Sequence, residues 1–207
     1  MIDMEVVPAV AKYVEDVLSQ ERFHHVCAVV ANCKMLVAEL EDTGDLDMDA
    51  LIIAGYLHDI STVAHGFHDH HLKSAEMAVE FLQELDVPAE RISKVEQAIL
   101  SHATPAPAEE REKEPLEGRI LYDADKLGRL SGLAVVTSLI EFGARYPDRA
   151  VTGEILASIL RHIEERFIDL YQSLNTDLAR EMAKAKFNNT LAFLDGVIEH
   201  LSDATPV

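Results

Sequence analysis

Apolar residues recur at three- and four-residue spacing along nearly the whole chain, and period-two alternation bounded by turn residues is hard to find. Val26, Val29, Val30, Cys33, Leu36, Val37 and Leu40 show the pattern. Such spacing lines one face of an α-helix, whereas a half-buried strand needs strict alternation. The expected fold is therefore all-α. Helices are predicted over Val7–Ser19, Arg22–Leu40, Asp49–His58, Leu72–Leu85, Ile92–Ala103, Leu116–Tyr122, Lys126–Ala144, Glu154–Phe167 and Asp177–Leu201. Asp45-Leu46-Asp47, Val87-Pro88 and Tyr146-Pro147-Asp148 punctuate the list, and Asn175-Thr176-Asp177 is suited to cap the last helix. TPAPAEEREKEPLE, Thr104 to Glu117, carries three prolines and mixed charges and reads as an exposed loop.

A chain of 207 residues with 48% hydrophobic residues suits one domain, or one with a helical extension, and is long enough to bury a core. Its 18 Lys and Arg against 37 Asp and Glu give a formal charge of -19, a field that repels nucleic acid phosphates and anionic lipid headgroups. A small anionic substrate would need a local cation to hold it, supplied by a basic pocket or a metal. The N-terminus has acids where a signal peptide is basic, and the apolar run Leu133–Ile140 is too short to span a bilayer, which points to the cytoplasm. Cys27 and Cys33 lie six apart, the wrong spacing for a CxxC motif, and are expected as reduced helix residues.

Within GYLHDIST, a histidine and an aspartate, His58 and Asp59, sit side by side at the end of the apolar run Ala50–Leu57. Left unpaired and buried they would cost a few kcal/mol. On a regular helix they would point about 100° apart, but at a helix end both can face one ion. The plainer reading is a histidine C-cap beside a turn aspartate. Eight of the ten histidines, His24, His25, His58, His65, His68, His70, His71 and His102, lie in the first half. Imidazole and carboxylate are ligands for Zn, Fe, Mn and similar ions. In ILYDADKLGRLSG, Asp123 and Asp125 interrupt an apolar helical pattern; Asp123 suits a cap and Asp125 an i, i+4 pair with Arg129. The run His65, His68, His70 and His71 reads by default as a solvated loop.

The series His25, His58-Asp59, Asp125 resembles the HD superfamily of metal-dependent phosphohydrolases, whose signature is His, then adjacent His-Asp, then Asp. HHVCAVV places Val29 four residues after His25, which selects His25 over His24. HHLKSAEMAVEFLQEL, ILSHATP, PLEGRILYDADKLG and LNTDLAREMAKAKF are similar, in order, to a branch of bacterial and archaeal predicted hydrolases. Two positions depart from that branch: Gly128 stands for a usual aspartate and Ser61 for a usual glycine.

The resemblance implies an HD-domain helical bundle with a C-terminal helical extension. It forms a single domain over 1–207, with a metal-site core about 22–130 and C-terminal helices about 131–203. It implies a divalent ion (Mn, Fe, Mg, Co, Ni or Zn) on His25, His58, Asp59 and Asp125, with His58 and Asp59 at the catalytic centre. The ion would acidify water and polarise a phosphoryl oxygen of a nucleotide or other small phosphate ester. Lys73, Lys126 and Arg129 are candidates to steady phosphate oxygens, or else exposed helix cations. Alignment of the SAE block turns His71 toward the site; Glu76, five residues later, is either a proton donor or a surface acid, and the surface acid is the preferred reading. His71 and His102 extend the site toward a second ion bridged by Asp59, against the simpler case that His102 only caps its helix. The competing functions are a diiron oxygenase on the same ligands and a non-catalytic helical regulator. The expected partner is a small phosphorylated molecule, with neither nucleic acid nor membrane.

Overall fold

The structure is a computed structural model and describes residues 3–66, 68–102, 113–148 and 152–202. Among them every regular element is a helix, in the order α1 (Asp3–Val17), α2 (Gln20–Ala38), α3 (Met48–Leu57), α4 (Thr62–His65), α5 (His70–Glu84), α6 (Ala89–Ser101), α7 (Leu116–Leu127), α8 (Gly132–Arg145), α9 (Gly153–Ser173) and α10 (Asp177–Ser202). The all-α expectation holds. No single described helix is long and apolar enough to cross a membrane. Most of the loop expected over Thr104–Glu117 lies outside the described residues.

The chain divides into two compact units, Met1–Asp125 and Lys126–Val207. In the first, α3 is the central element and packs against α1, α2, α5 and α6. It is apolar on every side, as a fully enclosed helix must be: Ala50 to Gly55 and Leu57 are all buried. Complete burial of side chains such as Leu51, Ile53 and Leu57 contributes about 1.5–3 kcal/mol each. Helix α2 comes close because Gly55 has no side chain; a Cβ there would stand 2.9 Å from Val30 Cγ2. The start of α3 is held by polar contacts. Asp47 caps it, accepting from the Ala50 amide at 3.0 Å and from Arg91 Nε of α6 at 2.9 Å. The Asp47 amide in turn donates to Glu117 Oε1 of α7 at 2.8 Å.

The second unit is built on α8, α9 and α10, whose core is Val135, Leu160, Leu194 and Ile198 with Leu139, Leu156, Ile163, Val197 and Leu201 around it. Phe187 of α10 stacks on Tyr171 and Phe167 of α9, with ring centroids at 4.1 and 5.3 Å. Thr176 caps α10 by accepting from the Ala179 amide at 3.1 Å.

Helix α4 is not among the expected elements, α1 and α6 begin four and three residues early, and further boundaries differ as well. Helix α7 runs through Asp123 and Asp125 to Leu127, so the break falls at Gly128–Ser131 and Asp123 is not a cap. Both aspartates are buried inside the helix, and two residues of helix turn about 200°, so they occupy opposite sides of α7. Helix α5 begins at His70, two residues early, after Asp69 in the left-handed region at φ 53°. Helix α9 continues six residues past Phe167 to Ser173.

Candidate metal centre

His58 ends α3, and its ring is enclosed with its neighbours: residue exposure is 0% for His58 and 1% for His102. His58 Nδ1 lies 2.8 Å from the Gly55 carbonyl oxygen. A carbonyl only accepts, so Nδ1 carries the proton and, in the neutral ring, Nε2 presents a lone pair. The same logic applies to His102 at the end of α6, whose Nδ1 lies against the Ile99 carbonyl. Each histidine is thus oriented by the last turn of its own helix, the backbone support that metal-binding imidazoles use.

Around that lone pair the chain places two groups whose ligand atoms lie within 4.8 Å of one another: His25, His58 and Asp125, and His58, Asp59 and His102. His25 Nε2, from α2, is 3.3 Å from Asp125 Oδ1 of α7. Asp59 Oδ2 is 3.7 Å from His58 Nε2, and Asp59 Oδ1 is 3.5 Å from His70 Nε2. The rings of His58 and His102 are 5.0 Å apart, and those of His70 and His102 5.4 Å. His58 Nε2 is a buried acceptor with no hydrogen-bond partner. An orphaned lone pair in a buried setting costs free energy as it stands, and a divalent cation shared with the carboxylate of either ligand group would satisfy it. The donor set, imidazole nitrogen and carboxylate oxygen, fits such an ion. Burial pushes the Cys33 thiol up to about 12, with the nearby Asp125 charge adding to it.

The sequence of residues 22–130, over half of the chain, matches the HD domain. The chain belongs to the HD domain family. Solved structures carry the same fold over nearly the full length. An HD-superfamily hydrolase from Bacillus thuringiensis is similar at 18% identity and a TM-score of 0.73, over 98% of this chain and 100% of that one. A predicted HD superfamily hydrolase from an uncultured Thermotogales bacterium is 20% identical with a TM-score of 0.59, over 93% and 91%. YpgQ of Bacillus subtilis, in a complex with ADP, is 18% identical with a TM-score of 0.68, over 100% and 98%. No curated protein matches significantly.

Within the HD domain the structure brings together His25, His58, Asp59, Asp125 and His102. Neither His71 nor His70 is in either ligand group; their rings lie 5.7 Å apart, and His70 meets the cluster through Asp59. His70 is the residue that sequence reasoning missed. The earlier start of α5 puts His70 in the first turn, with its Nε2 3.5 Å from Asp59 Oδ1. Lys73 lies one turn beyond His70 on the same helix, half-buried, and Glu76 is exposed as expected. His68, also exposed, pairs with Asp69 at 2.8 Å. Lys126, buried, and Arg129, exposed, follow Asp125 in the second unit.

Proposed function

We propose that this HD domain is a metal-dependent phosphohydrolase of the cytoplasm acting on a nucleotide or another small phosphate ester. The observation that carries the reading is the buried, unpartnered Nε2 of His58, surrounded by His25, Asp59, Asp125 and His102. The ligands would be His25, His58, Asp59 and Asp125 for one ion, with His102 and Asp59 offering a place for a second. A divalent ion held there supplies Lewis acidity toward a phosphoryl oxygen and acidifies water for attack on phosphorus. The chain's own residues do the rest. Gly55 and Ile99 carbonyls fix the tautomers of His58 and His102, and the two carboxylates draw the cation into the site. His25, with 38% of its side chain exposed, and His70, with 20%, are where the cluster meets solvent. Lys73, one turn from His70, is suited to hold phosphate oxygens. The ADP bound to YpgQ supports a nucleotide as the ligand class.

The test is a panel of nucleotides and simple phosphate esters with Mn, Mg, Co and Ni, with phosphate and pyrophosphate release as the readout. His58→Ala and Asp59→Ala should each lose metal content and turnover and keep the helical circular dichroism of the wild type. Full metal and turnover in His58→Ala would sink the proposal. Turnover that needs dioxygen and iron would favour the oxygenase instead.

A further inference from the structure

A layer of buried hydroxyls lies beneath the carboxylate and imidazole groups. Ser61 and Ser74 are each 0% exposed and Thr62 3%. Ser61 Oγ donates to the His70 carbonyl at 3.0 Å, Ser74 Oγ donates to Ser61 Oγ at 3.0 Å, and the Ser61 amide donates to Ser74 Oγ at 3.1 Å. Thr62 Oγ1 donates to the Asp59 carbonyl at 2.7 Å and accepts from Arg22 on α2, the helix of His25. These hydroxyls grip the backbones of Asp59 and His70, the two residues whose side chains meet at 3.5 Å above them.

The beginning of α5 has need of such a grip. Its N-cap, Asp69, is left-handed and makes no side-chain cap hydrogen bond to the helix; its carboxylate is turned to exposed His68. The Asp69 carbonyl accepts from the Leu72 and Lys73 amides at 3.1 and 3.2 Å, but its side chain gives the first turn no cap. That turn is tied across to the turn after Asp59, through Ser61 on one side and Ser74, a turn into α5, on the other. A serine hydroxyl can donate and accept together, and here both roles are used: Ser61 Oγ accepts from Ser74 and donates to His70.

We infer that Ser61 and Ser74 are positioning residues that set His70 against Asp59 and thereby tune how tightly the site holds a divalent ion. The inference rests on the metal reading above. Neither serine is placed to touch substrate; both act through His70. Loss of a residue that orients a metal site from behind typically weakens affinity by about 10- to 100-fold.

The experiment is calorimetric titration of metal-free protein with Mn²⁺ alone, with circular dichroism of each metal-free variant to check folding. Ser61→Ala should weaken Mn²⁺ binding about 10-fold. His70→Ala should weaken it as well, and Ser61→Ala should add nothing further in a His70→Ala background. Should Ser61→Ala fail to fold, Ser74→Ala carries the test, with a loss in the same direction and the same silence in the His70→Ala background. A hydroxyl with a merely structural role would lower thermal stability while leaving Mn²⁺ affinity unmoved, or would act additively with His70→Ala; either result overturns the inference. If His58→Ala abolishes Mn²⁺ binding while both serine variants keep wild-type affinity, the positioning role alone is lost. If wild-type protein binds no Mn²⁺, or His58→Ala keeps its affinity, the metal reading falls and the inference falls with it.

Discussion

Gly55 sets how closely the helix of His25 can approach the helix of His58. With Val30 Cγ2 2.9 Å from the place a Cβ would take, Gly55→Ala forces α2 and α3 apart. Overpacking of this kind costs about 1–3 kcal/mol, and the expected outcome is a fall of that size in urea unfolding of Gly55→Ala. At this scale His25, His58, Asp59 and Asp125 were legible in the sequence, because each borders an apolar helical face and their order repeats a known signature. His70 was not. Adjacent helical residues differ by about 100°, so the choice between His70 and His71 depends on where α5 begins. That start follows Asp69, a non-glycine residue at φ 53°, which nothing in the string HDHH announces. Ser61 was legible only as a departure from glycine; its partners, His70 and Ser74, lie 9 and 13 residues away and required the folded chain.

Among the elements, α3 depends most on its cap. Burial pushes the Asp47 carboxyl up, but the Ala50 amide and the Arg91 guanidinium outweigh it and hold the group below the usual carboxylate range. A carboxylate whose folded pKa is depressed adds stability above its unfolded pKa and loses it as pH falls through the folded one. Asp47→Ala should therefore destabilise the protein at pH 7 by about 1 kcal/mol, the usual worth of a cap. Asp47→Asn keeps a capping oxygen but not the charge, so its deficit should shrink as the solution is acidified below the ordinary aspartate range. Urea titrations of both variants at several pH values check the size and the sign. Asp47 was legible as punctuation before a helix; its link to Arg91, 44 residues on, was not. The helices other than the short α4 followed from periodicity, and the main misplacement was at α7. Two aspartates in an apolar pattern read as an interruption, yet burial on opposite sides of one continuous helix accommodates both, and Gly128 to Ser131 supplies the break.

For the molecule as a whole, a formal charge of -19 opposes the counterion release that drives sequence-independent nucleic acid binding. Fluorescence anisotropy with duplex DNA at about 150 mM salt should show no binding in the ~10⁻⁴ to 10⁻⁶ M range typical of nonspecific binders; micromolar affinity would contradict this. The enclosure of α3 has its own consequence for amide hydrogen exchange. His58 hangs from the last turn of a helix packed against α1, α2, α5 and α6, and its amide is bonded to the Ala54 carbonyl at 2.9 Å. Opening that turn means separating its neighbours, so the amides of Ile53 to His58 should exchange only through cooperative opening of the whole first unit. A ligand that binds only the closed form then slows all of them by one common factor, set by its concentration over its dissociation constant. The slowest protons in the protein would thus report on the occupancy of its most polar cluster.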